Sequence, residues 1–168
     1  MLIKQSITAP VWPIAICRIL IGVLWLTSLR WKLPPDFIPL EGVRGLMEWL
    51  QLEVQHPFLP VYGQFVQLIV LPNFSLFAWA VFIGELLTGL GLLLGLFTRA
   101  ASILGLLMSL NLLIGLFEVP GEWPWSYLML ATFHFLFIVM EPGRVWGLDG
   151  WWAGRRAVVS LPGNRSGV

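Results

Sequence analysis

The chain has 168 residues, of which 58% are hydrophobic and only 11% are charged, with a formal net charge of +1. A soluble domain carries about 25% charged residues, so this composition excludes an ordinary soluble fold. The small net charge and the absence of Lys/Arg runs exclude nucleic acid as a partner. The length leaves room for four membrane helices of roughly 20 residues each and one long loop.

Four apolar segments define the predicted fold, an all-α membrane protein with an antiparallel bundle of four transmembrane helices. The predicted spans are residues 11–31, 74–97, 100–117 and 124–140. Their short connectors make consecutive helices antiparallel neighbours. Residues 1–153 would then form one membrane domain, and residues 154–168 a flexible cytoplasmic tail.

The loop between the first two spans, residues 34–72, is too polar at its start to cross a membrane. Apolar residues recur at helical spacing from Val43 to Leu50, with acidic residues such as Glu53 on other faces. This pattern predicts a helix that lies in the membrane interface. The segment 58–71 is apolar but bracketed by prolines, which predicts a re-entrant or interfacial element instead of a fifth span.

Lysine and arginine in the flanks predict the orientation, because these residues are retained on the cytoplasmic side. The larger set falls on one side of the predicted bundle: Lys4, Arg99, Arg144, Arg155, Arg156 and Arg165. The smaller set falls on the other: Arg30, Lys32 and Arg44. We therefore expect a multi-pass protein of the inner (plasma) membrane with both termini in the cytoplasm, and the lipid bilayer as its first partner.

Each predicted span carries one strongly polar residue at membrane depth: Arg18, Glu85, Asn111 and His134. Such residues cost a few kcal/mol on insertion scales and usually face a bundle interior. Two interpretations stay open. In one, Arg18 and Glu85 form a buried ion pair, and Asn111 and His134 hydrogen-bond between helices. In the other, the four residues line a pocket that binds a quinone head group or exchanges protons.

His134 and Glu85 are the candidate catalytic residues of such a pocket, because an imidazole titrates near neutral pH and can donate to a quinone carbonyl. The second histidine, His56, falls in the outer loop, so no metal or haem is expected. A single cysteine, Cys17, provides no dithiol relay. Any redox chemistry would therefore need an electron carrier that the chain itself does not supply.

Small residues line one stripe of the second predicted span, at Gly84, Thr88, Gly91 and Gly95. The third span has a similar stripe at Ala101, Gly105 and Ser109. Such stripes allow two helix backbones to approach closely. We expect these two spans to pack against each other.

Four motifs are distributed along the chain outside the outer loop and the tail. They are Arg18-Ile19-Leu20-Ile21-Gly22 with Arg30-Trp31-Lys32-Leu33, Gly84-Glu85-Leu86-Leu87-Thr88-Gly89-Leu90-Gly91 with Gly95-Leu96-Phe97-Thr98-Arg99, Gly121-Glu122-Trp123-Pro124-Trp125-Ser126-Tyr127, and Gly143-Arg144-Val145-Trp146-Gly147-Leu148-Asp149. In these motifs the chain resembles the DoxX/DoxD family of small four-helix membrane proteins, and it is most similar to the DoxD branch.

The resemblance implies a membrane subunit of a redox system, which in the DoxD branch oxidises thiosulfate and passes the electrons to quinone. It also implies a partner subunit, of the DoxA type or another membrane or periplasmic protein. An anion that approaches from the outer side would need Arg30, Lys32 and Arg44, the cations of that side. At the inner side, Arg144 and Asp149 are expected to pair and to cap the fourth helix.

An alternative function is a non-catalytic structural or assembly subunit of a larger membrane complex. The ten tryptophans could then contact partner helices or lipids. A transporter ranks last, because the sequence shows no internal repeat and no pair of interrupted helices.

Overall fold

The computed structural model describes residues 11–37 and 44–159, with side chains up to residue 155. Every regular element in these ranges is a helix. The helices are α1 (Trp12–Ser28), α2 (Leu46–Gln55), α3 (Pro60–Phe65), α4 (Phe74–Leu94), α5 (Thr98–Leu116), α6 (Pro124–Met140) and α7 (Leu148–Val159). Short 3₁₀ and π turns extend α1 to Trp31 and connect α3 to α4.

Three helical segments are long and apolar enough to cross a membrane: Trp12–Trp31, Pro60–Leu94 and Thr98–Leu116. α6 is also apolar but has 17 residues. At 1.5 Å per residue its length is about 26 Å. The predicted membrane-protein class is therefore supported by the length and composition of these helices.

The four long helices pack in a ring, in which α1 contacts α4 and α6, and α5 contacts α4 and α6. The predicted contact between the second and third spans is confirmed. A Cβ at Gly91 would lie 2.6 Å from Ala101 Cβ, and one at Gly84 would lie 2.9 Å from Met108 Sδ. The α1–α4 contact is equally close, since a Cβ at Gly22 would lie 2.7 Å from the backbone nitrogen of Leu93.

The helical run from α3 to α4 bends at Asn73, whose backbone angles (φ −111°, ψ 33°) are not helical. In a straight helix, residues twelve positions apart are separated by about 18 Å. The rings of Phe65 and Phe77 nevertheless meet edge to face at 6.3 Å. α3 therefore folds back beside the start of α4, and it also contacts α2 and α5. The predicted break between segment 58–71 and the second span coincides with this bend.

The α4–α5 corner is completed by the first turn of α7. Gly95 ends α4 in the left-handed conformation (φ 62°), and its carbonyl accepts a hydrogen bond from the backbone nitrogen of Asp149 at 2.9 Å. The Asp149 carboxylate accepts hydrogen bonds from the backbone nitrogens of Phe97 (2.8 Å) and Thr98 (2.9 Å). Asp149 thus caps the start of α5.

The predicted Arg144–Asp149 pair at the end of the fourth helix is wrong. Arg144 instead forms an ion pair with Glu141, with 2.7 Å between Nη2 and Oε2. Both Asp149 oxygens are used by the backbone of α5. The physical reason is that a capping carboxylate satisfies two helix N–H groups that have no intrahelical acceptor.

Two predicted segments are only partly described. The first part of the predicted flexible tail is helical, because α7 continues to Val159, while residues 160–168 lie outside the described residues. A helix is present as α2 where one was predicted in the loop, but Val43 lies outside the described residues.

Candidate functional site

Arg18 lies at the junction of α1, the end of α4 and the α6–α7 connection, and it is fully buried. Its Nη1 donates to the carbonyl of Leu92 and, at 3.2 Å, to that of Leu93. Its Nη2 donates to the carbonyl of Trp146 at 3.0 Å. The guanidinium therefore satisfies carbonyls at the C-terminus of α4, where a positive charge is favourable.

Glu85 is buried two helical turns away from this junction and contacts different partners. Its carboxylate pairs with the ammonium of Lys32 and accepts a hydrogen bond from Ser28 Oγ at 2.7 Å. The predicted Arg18–Glu85 ion pair is therefore not formed. The antiparallel register of α1 on α4 places Arg18 beside Leu92 and Ser28 beside Glu85, so the two charges lie at different depths.

The predicted anion site does not form as a set. Lys32 points inward to Glu85, and its side chain is only 11% exposed. Arg44 and Arg30 are exposed, and the guanidinium of Arg44 lies over the ring of Trp49 at 5.2 Å. Arg30 and Arg44 therefore remain exposed cations, whereas Lys32 is neutralised by Glu85.

His134, on α6, contacts α1 and α5 and is fully buried. Its Nε2 accepts a hydrogen bond from Trp25 Nε1 at 2.8 Å, so a neutral imidazole carries its proton on Nδ1. Nδ1 has no partner among the described residues. The ring packs against Gly105, where a Cβ would lie 2.6 Å from Nδ1. His134 thus contacts neither Glu85 nor Asn111 through a hydrogen bond in the described structure.

Asn111 is exposed on α5, in contrast to the other three polar residues. Its Oδ1 lies 3.2 Å from Tyr62 Oη, and the same hydroxyl lies 3.3 Å from Glu53 Oε2. These three residues come from α5, α3 and α2. We refer to Glu53, Tyr62 and Asn111 as the Glu53 network.

Glu53 is only 5% exposed and lies against Gly115, where a Cβ would be 2.7 Å from its carboxyl carbon. Burial raises the pKa of this carboxyl from 4.5 to about 7, although the hydrogen bond from Tyr62 partly opposes that shift. A tyrosine hydroxyl has one proton and cannot donate to two acceptors at once. A protonated Glu53 resolves this conflict, because it donates to Tyr62, which then donates to Asn111.

Sequence reasoning placed Glu53 on a solvated face, although the signal for its burial was present. Leu46, Leu50 and Glu53 are spaced i, i+4 and i+7, so the carboxyl falls beside the apolar stripe of α2. Tyr62 lies in a short apolar segment whose sequence gives no signal for its partners. The network is formed only when the bend at Asn73 brings α3 beside α5.

The described residues contain no group of three or more His, Cys, Asp or Glu side chains that could hold a metal ion. No family model, curated protein or solved structure matches this chain.

Proposed function

We propose that this chain is an integral membrane subunit of a redox system that exchanges protons and electrons with quinone. In this proposal α1, α4, α5 and α6 all cross the inner membrane as an antiparallel bundle, with both termini in the cytoplasm. The length of α6, about 26 Å, is close to a hydrocarbon thickness of about 30 Å. The Lys/Arg asymmetry of the flanks supports the orientation.

The Glu53 network is the observation that carries the quinone role. Reduction of a quinone consumes two electrons and two protons, so its site needs hydrogen-bond donors and a group that exchanges protons near neutral pH. Asn111 is exposed where a lipid-soluble head group can reach it, and its amide can donate to a quinone carbonyl. Tyr62 links it to Glu53, whose pKa of about 7 suits proton exchange.

The proposed quinone site is the Glu53 network and not the pocket of four polar residues expected from the sequence. Arg18, Glu85 and His134 are engaged by backbone carbonyls, by Lys32 and by Trp25, respectively. Asn111 is the residue that the sequence-based pocket and the Glu53 network share. The resemblance to the DoxD branch supports thiosulfate as the electron donor, with a DoxA-type or other partner subunit to complete the enzyme.

The test is quinone binding by the purified full chain in lipid nanodiscs, with a short-chain quinone as the probe. We expect a dissociation constant on the order of 1 μM for the unmodified chain, and binding about tenfold weaker for Asn111→Ala, which loses the hydrogen bond to the quinone carbonyl. The control is Thr132→Ala, an exposed polar residue on α6. Absence of quinone binding by the unmodified chain would refute the proposal.

A second candidate function is a non-catalytic structural or assembly subunit. It is favoured because three buried polar side chains already have partners within the chain. Arg18, Glu85 and His134 all bond within the chain, while large aromatic side chains such as Trp123 (65%) and Trp125 (55%) are exposed. Gentle extraction from the native membrane should then give a stoichiometric complex, and Glu53→Gln should not change the activity of that complex.

A further inference from the structure

A cleft of about 560 Å³ lies where the first turns of α5 face α7. Its walls come from three parts of the chain. They include Phe97, Arg99, Ile103, Glu141, Arg144 and Trp152. None of these residues takes part in the Glu53 network, and the proposed quinone role does not use them.

Two guanidiniums and one carboxylate dominate the charge of this cleft. Arg144 pairs with Glu141 at 2.7 Å, and Arg99 Nη1 lies 3.7 Å from the other oxygen of the same carboxylate. The longer distance exceeds a hydrogen bond, so the donors of Arg99 remain available to a ligand. The side chains of Arg99 and Arg144 are 67% and 68% exposed. Both can therefore turn toward a bound anion.

Asp149 also borders the cleft, but its charge is already compensated. Both of its oxygens accept backbone N–H groups at the start of α5. That helix end carries a partial positive charge of its own. The charge presented to a ligand is therefore positive, from two guanidiniums against the single carboxylate of Glu141.

The cleft continues into an apolar surface along α5. Ile103 lies one helical turn beyond Arg99, and Leu107 lies one turn further; they are 45% and 60% exposed. At the opposite side, the rings of Phe97 and Trp152 meet edge to face at 5.6 Å. Cations above an exposed apolar stripe, with aromatic rings beside them, match the polar and apolar halves of a lipid.

We propose that this cleft binds an anionic phospholipid. Its phosphate lies between Arg99 and Arg144, and an acyl chain follows Ile103 and Leu107 along α5. Guanidiniums bind phosphate through paired N–H donors, and basic pockets beside membrane helices suit anionic head groups. A soluble phosphate compound would leave the apolar stripe uncovered. This proposal requires a membrane location for the chain, but it is independent of any redox role.

Native mass spectrometry of the full chain, released from nanodiscs of mixed phosphatidylglycerol and phosphatidylcholine, tests the proposal. We expect the unmodified chain to retain phosphatidylglycerol in preference to phosphatidylcholine. The double variant Arg99→Gln/Arg144→Gln should lose at least about fivefold of that retention, because two phosphate contacts are removed. The control Arg44→Gln/Arg155→Gln removes two exposed arginines that lie over tryptophan rings outside the cleft, and it should retain the lipid.

The single variant Arg99→Gln separates lost lipid binding from misfolding, because it keeps the ion pair between Arg144 and Glu141. Reduced phosphatidylglycerol retention in this variant, at an unchanged melting temperature, would support the proposal. Equal retention of both lipids by the unmodified chain, or equal losses in the two double variants, would overturn it. Full displacement of the lipid by millimolar glycerol 3-phosphate would also overturn it, since the site would then recognise a soluble phosphate.

Discussion

The two ends of the helix bundle use charged residues in different ways. At the α4–α5 corner, Arg18 and Asp149 are bonded to backbone carbonyls and backbone N–H groups. At the opposite end, Glu53 is bonded to Tyr62, which in turn reaches Asn111. Backbone groups do not titrate, whereas a carboxyl and a hydroxyl share protons. The bonds at the corner are therefore insensitive to protonation of their backbone partners, whereas the Glu53 network joins two side chains that can each carry a proton.

The largest effect that would test this contrast is the loss of Arg18. Arg18→Met leaves the part-buried carbonyls of Leu93 and Trp146 without their donor, at a cost of about 1–3 kcal/mol each, while the Leu92 carbonyl keeps only the backbone N–H of Gly95. We expect a large fall in melting temperature in detergent, or no recovery of folded chain. Arg18→Lys should be intermediate, because a single ammonium cannot span both carbonyls. Arg30→Met, at an exposed arginine, is the control, and an equal melting temperature for both methionine variants would contradict a stabilising role for Arg18.

The next largest effect should come from replacing a glycine by alanine at each end of the bundle and comparing the losses of stability. A Cβ at Gly22 would lie 2.7 Å from the backbone nitrogen of Leu93, which cannot move without separating α1 from α4. We expect Gly22→Ala to cost about 1–3 kcal/mol. A Cβ at Gly115 would instead meet the carboxyl of Glu53, the end of a flexible side chain. Gly115→Ala should therefore change the melting temperature less, and a larger loss than in Gly22→Ala would break the comparison.

The pH dependence of stability should come from the Glu53 end. The folded-state pKa of about 7 lies above the ordinary 4.5, so the folded chain binds more protons in this window. The free energy of unfolding should therefore fall as the pH rises from 4.5 to 7, by up to about 1.4 kcal/mol per pH unit. Melting temperatures across this range should show the fall in the unmodified chain and in Glu48→Gln. Glu53→Gln should lack it, and the same slope in all three proteins would exclude Glu53 as its source.

The smallest expected effect is the loss of the α5 cap. Asp149→Ala removes the acceptor of two backbone N–H groups and should cost about 1 kcal/mol. Glu118→Ala, at an exposed position, serves as the control and should be nearly neutral. A melting temperature for Asp149→Ala as high as that of the control would show that α7 does not stabilise this corner.

The positions of the long helices could be predicted closely because their ends are marked by local sequence. The predicted spans 74–97, 100–117 and 124–140 correspond to α4, α5 and α6 within three residues at each end. Proline begins α6, and a left-handed glycine ends α4. These signals act over a few residues, and a single sequence contains them.

The partners of the polar residues could not be predicted in the same way. The opposite charges of Arg18 and Glu85 suggest an ion pair between them. In the structure, however, the register of α1 on α4 places Arg18 against the carbonyl of Leu92 and Glu85 against Lys32. That register follows from the close approach of Gly22 to α4, which spacing along one helix does not reveal. The Glu53 network depends on the bend at Asn73 and was missed for the same reason. Its carboxyl, however, could have been recognised on the apolar stripe of α2.

The contacts of Arg18 also have a consequence for the order of synthesis. Its acceptors at Leu92 and Trp146 follow it by 74 and 128 residues. When α1 leaves the ribosome, its arginine has none of these partners and is costly to expose to lipid. We therefore expect the insertion machinery to keep α1 in an aqueous environment, away from lipid, until α4 and the α6–α7 connection have been translated. A ribosome-stalled chain that ends before α4 should leave α1 accessible to water-soluble thiol reagents at Cys17, beside Arg18, and a chain that extends through α7 should protect it.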